Sequence, residues 1–167
     1  MLFRSVLTRT SLAIVIAGVS TGVLAQESER GCIELKTEAL VEESYLDDTG
    51  QLATRRIAAE KVVPGDEVVW QITALNVCEA PVAEVAITNP VPLQMIYVGD
   101  TAFGNRTQLS FSLDGGEFTT PDALRVAEFD GDSRLARAEE YKHVRWLLEG
   151  ALEPAAILVV GYNARVL

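Results

Sequence analysis

Few side chains in this sequence are of a type and spacing that could do chemistry. His143 is the only histidine. As a general base it would need a nucleophile or a carboxylate within hydrogen-bond reach. It stands in the run Tyr141-Lys142-His143-Val144-Arg145-Trp146, alternating with Val144 and Trp146. In a strand that phase points it away from them, toward solvent or the outer face of a sheet. No Gly-x-Ser-x-Gly elbow and no His-Glu-x-x-His pair is present. The glycines of "AFGNRTQ" and "DGGEF" do not lead from a strand into a helix, so they make no phosphate loop. Asp47 and Asp48 in "DDTG", and Asp130 and Asp132 in "FDGDSR", are the cation candidates. Calcium takes roughly six to eight oxygens, and such a turn supplies two or three. Asp and Gly also favour tight turns for backbone reasons alone. No catalytic residue, metal site or cofactor is therefore expected, with calcium the one ion the turns leave open.

The two cysteines, Cys32 and Cys78, lie 46 positions apart with no ligand-spaced partner, which argues against a metal site. Their context points to a disulfide. "MLFRSVLTRTSLAIVIAGVSTGVLAQES" has the parts of a secretory signal: Arg4 and Arg9, an apolar run from Ser11 to Val19, and Val23-Leu24-Ala25 before a cleavage point. The apolar run is shorter than the ~20 residues a membrane span needs. Residues 1–25 thus read as a removed signal peptide, and an oxidising compartment follows. Cys32 opens the strand-like run "CIELKTEALVEESY", and Cys78 closes the strand "EVVWQITALNV". If the two strands lie antiparallel, or at the same end of a sandwich, the start of one meets the end of the other.

The whole chain carries a net charge of −10, and −12 once Arg4 and Arg9 leave with the signal. Such a surface repels phosphate backbones and anionic lipid, so neither nucleic acid nor a membrane surface is an expected partner.

Most of the remaining chain alternates with a period of two. Val68, Trp70, Ile72 and Ala74 share one face, with Glu67, Gln71 and Thr73 opposite. Val85 and Ile87 repeat the pattern, and Pro90 and Pro92 end it. "MIYV" is a short strand. Leu109, Phe111 and Leu113 alternate before Asp114-Gly115-Gly116, a hairpin turn. Val144, Trp146 and Leu148 share a face, as do Leu158, Val160, Tyr162, Ala164 and Val166. "SYLDDTGQLATRRI" reads as another hairpin. "SRLARAEEYK" has helix-favouring residues but is short, and reads as a loop or a single helical turn. Trp70 and Trp146 are expected to pack between two sheets. Tyr97, Phe103 and Phe111 are expected at buried or edge positions, a glycan-binding platform requiring them to be exposed.

Pro64-Gly65-Asp66, Trp70, Asn76, Thr88-Asn89-Pro90-Val91-Pro92, Tyr97-Val98, Trp146 and Leu152-Glu153-Pro154-Ala155 followed by Ile157 to Val166 form a recognisable series. It resembles the immunoglobulin-like conserved-repeat domain of bacterial surface and envelope proteins, the group known as domain of unknown function eleven. The resemblance spans Val62 to Leu167. Asn89 stands where the pattern has Asp, and Ala155 where it has Gly, which puts the turn before the last strand in question. The resemblance implies a fold and an envelope location, and no catalytic residues.

The expected architecture is an all-β, immunoglobulin-like antiparallel β-sandwich of about seven to nine strands. Residues 26–61 form a strand and hairpin extension, and residues 62–167 the sandwich. The expected role is that of a non-enzymatic, exported envelope protein, periplasmic or extracellular. It would act as a structural or interaction module whose partner is another envelope or surface protein. A ligand-binding sandwich, for glycan or calcium, is the alternative, and a hydrolase a third. Arg145 and Arg165 are the basic residues that a cleft for a partner's C-terminus would use, and two are few for that task.

Overall fold

A computed structural model describes residues 31–129 and 131–167. The segment read as a signal peptide lies outside these residues, and so does Asp130. The strands are β1 (Ile33–Leu46), β2 (Leu52–Ala58), β3 (Glu67–Asn76), β4 (Val82–Ala83), β5 (Ala86–Pro90), β6 (Met95–Tyr97) and β7 (Phe103–Gly104). They continue as β8 (Thr107–Ser112), β9 (Arg125–Ala127), β10 (Ser133–Leu135), β11 (His143–Leu148), β12 (Ala151–Leu152) and β13 (Ile157–Val166). The count exceeds the expected seven to nine because six of the thirteen are only two or three residues long. Among the described residues a single 3-10 turn, Ala138–Glu140, is the sole helical element. The stretch expected as a loop or helical turn is divided. Ser133–Leu135 pairs with Arg125–Ala127 as a small hairpin, and only the residues after it turn helically.

Every pairing is antiparallel. One sheet has the order β2-β1-β3-β13-β6, with β7 also on β13, and a second has the order β5-β11-β8. They face each other across one apolar core. From the first sheet come Ile72, Ala74, Leu158, Val160, Tyr162 and Ala164. From the second come Ile87, Phe111, Val144, Trp146 and Leu148. Trp146 stacks on Tyr162 with ring centroids 6.2 Å apart, and Tyr141 packs on Phe111 at 4.7 Å. The Tyr162 hydroxyl accepts from Asn89 Nδ2 at 2.9 Å and donates to the Pro90 carbonyl at 3.0 Å. Burial pushes that phenol up to about 12, with the Asn89 bond opposing. An amide at position 89 can donate, which an ionised carboxylate cannot, so the hydroxyl stays free to donate to Pro90.

Two positions depart from simple alternation. Trp70 is half-buried, its Nε1 donating to Met95 Sδ at 3.4 Å at the margin of the core. Val69, on the opposite face, is buried. β2 and β3 flank β1 on opposite sides, so residues 59–66 must cross β1 to join them. Lys61 and Asp66 of that crossing line a hollow with Val69 and Asn163. Gly161 also faces outward. A Cβ there would meet the Trp70 carbonyl and Phe103 Cζ, because the Phe103 ring lies across β13 at this point.

Cys32 and Cys78 form a disulfide that joins the start of β1 to the end of β3, neighbours in one sheet, with Cα atoms 5.1 Å apart. Just inside it, Asn76 is almost fully buried. Its Nδ2 donates to the carbonyls of Ala80 at 2.9 Å and Leu152 at 2.8 Å, and its Oδ1 accepts from the Cys78 N–H at 3.0 Å.

The turn before β13 survives without its glycine. The Ala156 N–H donates to Glu153 O at 3.0 Å, with Pro154 second and Ala155 third at φ 58°. Pro second and positive φ third define a type II turn, whose third place favours glycine. A left-handed Ala costs ~1–2 kcal/mol, and the added freedom of glycine in the unfolded chain returns ~0.4–1 of it. Ala155→Gly should therefore stabilise the fold by about 0.5–1 kcal/mol in urea denaturation. An unchanged or lower midpoint would mean that the turn carries no strain.

Candidate functional site

The side chains singled out by type come apart when placed in the fold. His143 lies on the outer face of β11 with its ring against Gly115, where a Cβ would come within 2.9 Å of Cε1. Phe118 meets it edge-on at 6.3 Å. Its Nδ1 is buried and has no hydrogen-bond partner among the described residues. Ser112 is its cross-strand neighbour, yet its hydroxyl makes no bond to His143 Nδ1. The Ser112 hydroxyl accepts from Gly115 N–H at 2.9 Å and reaches Asp114 Oδ1 at 3.2 Å. Asp114 is held below the usual carboxylate range by the Gly116 N–H and then by that hydroxyl. Serine, histidine and aspartate are close here, but the hydroxyl serves the turn rather than the imidazole.

Asp47 is likewise committed to its turn. Its Oδ1 accepts from the Thr49 hydroxyl at 2.7 Å and from the N–H groups of Thr49 at 2.8 Å and Gln51 at 2.9 Å. These bonds, the hydroxyl's first, hold its carboxyl low. Asp48 is exposed beside it, and Asp132 is in the turn joining β9 to β10. Among the described residues no group of three or more His, Cys, Asp or Glu is placed to hold a metal ion. Tyr97 and Phe111 are buried and Phe103 half-buried, so these three offer no open platform. Arg145 and Arg165 belong to different sheets. Arg145 lies 3.6 Å over the Phe118 ring and donates to Thr88 Oγ1 at 3.0 Å, while Arg165 pairs with Glu67 at 2.8 Å.

The exposed surface with the strongest capacity for contact is the β1–β2 hairpin. The first half of β1 pairs with β3, ending at Leu40 opposite Val69. From Leu40 onward β1 pairs with β2 along its other side, as far as Leu46 opposite Leu52. The turn is closed by Asp47 and by Gly50 at φ 78°. Opposed residues share a face. Leu40, Glu42, Ser44 and Leu46 therefore lie with Ala58, Arg56, Thr54 and Leu52. Val41, Glu43 and Tyr45 lie with Ile57, Arg55 and Ala53. Arg55 reaches Glu43 at 2.6 Å and sits 5.1 Å from the Tyr45 ring centre, and Arg56 reaches Glu42 at 3.3 Å. Glu43 and Glu42 are thus matched by Arg55 and Arg56 within the hairpin. Its apolar side chains are open: Leu46 is 69% and Leu52 75% exposed, and Tyr45 and Ile57 are also exposed.

The ladder also fixes which backbone groups are free. Asp47 N–H donates to Gln51 O, and Ala59 N–H to Ala39 O, both at 2.9 Å. Hydrogen-bonded and non-bonded pairs alternate in an antiparallel ladder. The backbone N–H and C=O of Arg55, Ala53 and Ile57 therefore face β1. Those of Leu52, Thr54, Arg56 and Ala58 face away, along an edge that no described strand covers. The hairpin was readable from its turn residues; its matched charges follow from the register the structure shows. The open edge was not, because strand order decides it.

No family model, curated protein or solved structure matches the chain. Among the described residues no helix is long and apolar enough to cross a membrane.

Proposed function

We propose that this is a non-enzymatic protein of the cell envelope, exported by its signal peptide, with an immunoglobulin-like sandwich that works through protein contact. The contact is strand addition on β2. The observation that carries this reading is the outer edge of β2, where four residues in seven turn their backbone groups away from the sheet. An extended partner segment pairs with such an edge through main-chain bonds, and flanking side chains supply selectivity. The exposed Leu46, Leu52, Tyr45 and Ile57 are the flanking groups here. The disulfide and the segment before Gln26 support an oxidising compartment outside the inner membrane.

The test is cross-linking of the mature protein in cells, followed by mass spectrometry, with Thr54→Pro as the comparison. Proline at 54 removes an outward N–H and none of the β1–β2 bonds, so the hairpin should persist. A stoichiometric cross-linked envelope protein that drops at least about tenfold in Thr54→Pro is the expected result, a tenfold change corresponding to ~1.4 kcal/mol. A cross-link that survives the substitution would place the contact elsewhere.

A further inference from the structure

The edge of β2 complements itself, and we infer that its partner strand is β2 of a second copy of this chain. The inference rests on reading β2 as the contact edge and adds the identity of the partner.

The outward-facing residues are Leu52, Thr54, Arg56 and Ala58, symmetric about Arg55. A two-fold axis at Arg55 sets Thr54 opposite Arg56 of the other copy and Leu52 opposite its Ala58. All four are residues whose N–H and C=O point outward, so the register closes as hydrogen-bonded antiparallel pairs with no unmatched group. A shift of one residue would set outward groups against inward ones.

Side chains agree with that register on both faces. Residues opposed in each hairpin already form rows, and the axis joins the rows of the two copies. On one face the joined row reads Leu46, Leu52, then Ala58 and Leu40 of the other copy. On the opposite face it reads Tyr45, Ala53, then Ile57 and Val41. Both rows are wholly apolar, and each occurs twice by symmetry. The exposed leucines would then be covered along the row. Thr54 meets Arg56, a neutral neighbour.

One contact opposes the pairing: Arg55 faces its own copy. That guanidinium is drawn back toward β1, 2.6 Å from Glu43 and over the Tyr45 ring. Across the junction the order is Glu43, Arg55, Arg55, Glu43, which is neutral in sum. Where they pair, the two strands of the hairpin set Glu42 and Glu43 against Arg55 and Arg56, while the turn at its tip adds Asp47 and Asp48, in a chain of net charge −10. The paired strands at the junction are thus neutral in sum, while the acidic turns and the rest of the molecule repel their copies, and added salt should tighten the association.

The experiment is Arg55→Cys in the full-length exported protein, oxidised mildly and examined on non-reducing gels. Directly opposed residues have Cβ atoms ~4.5–5.5 Å apart, within small adjustment of the ~3.5–4.5 Å a disulfide needs. A covalent dimer of this chain is expected. Thr54→Cys, opposite Arg56 rather than itself, should give at most a tenth of the yield. Adding Thr54→Pro to Arg55→Cys should abolish the dimer while the circular dichroism spectrum stays that of the parent. Sedimentation of the unmodified protein should show a dimer that strengthens from low to high salt. A disulfide from Arg55→Cys to a different envelope protein would overturn self-pairing and leave β2 as a strand-accepting edge. Equal yields from the two cysteine positions would overturn the register. No covalent dimer, with a monomer in sedimentation, would overturn self-pairing, while loss of the in-cell cross-link in Thr54→Pro would still mark β2 as the edge another protein uses.

Discussion

Trp146→Ala is expected to cost about 3–5 kcal/mol, enough to leave a domain of ordinary stability near its unfolding threshold. The indole is fully buried at the centre of β11. It stacks on Tyr162 of the opposite sheet, and its Cδ1 would stand 3.1 Å from a Cβ placed on Gly104. Alanine would leave a cavity with a sheet on each side, and paired strands cannot collapse into it. Trp146→Phe should lose far less. It keeps a ring on Tyr162, and it removes an indole N–H that is buried without an acceptor among the described residues. Urea denaturation of both variants is the measurement. Equal losses would show that ring area across the core is not what stabilises it.

Replacing both Cys32 and Cys78 by alanine should remove about 4 kcal/mol, by the chain-entropy argument for a loop closed over 46 residues. The effect acts on the unfolded chain, which gains freedom once the loop opens. Refolding should slow or the midpoint fall, while the native spectrum below the midpoint stays unchanged. Reducing the parent protein before denaturation should reproduce the same midpoint. A variant as stable as the parent would mean that β1 is held to β3 by its ladder alone.

The extent to which the chain announced its own structure varies from element to element, for physical reasons. In β3, β11 and β13, each six or more residues long, the side chains that enter the core recur at every second position. That is why Ile72, Ala74, Val144, Trp146, Val160 and Tyr162 were identifiable as core before any fold was known. The disulfide followed from one cysteine opening a strand and another closing one. Strands of two or three residues produce no period, so β4, β7, β9, β10 and β12 left no trace. In Ser133–Leu135, residues with helical preference lie in a strand because the hairpin with Arg125–Ala127 overrides that preference. Val69 broke the alternation because the chain crossing β1 brings Lys61 and Asp66 over that face. Side-chain chemistry was the poorest guide to the contact surface. His143, Asp47 and Arg145, the residues whose types invite a role, are occupied with turns and packing. The open surface is made of backbone groups, which no residue type reports.

The arrangement of β1 has a mechanical meaning. Its far end forms the hairpin, its near end is bonded covalently to β3, and eight residue pairs of ladder lie between. A pull applied to the hairpin along the strand would load those pairs in shear, all at once, rather than peel them one by one. Beyond the last pair the load would reach a sulfur–sulfur bond, which ordinary molecular forces do not break. The protein is thus built so that tension at the hairpin is delivered to the centre of its larger sheet, a property suited to a part held between other molecules.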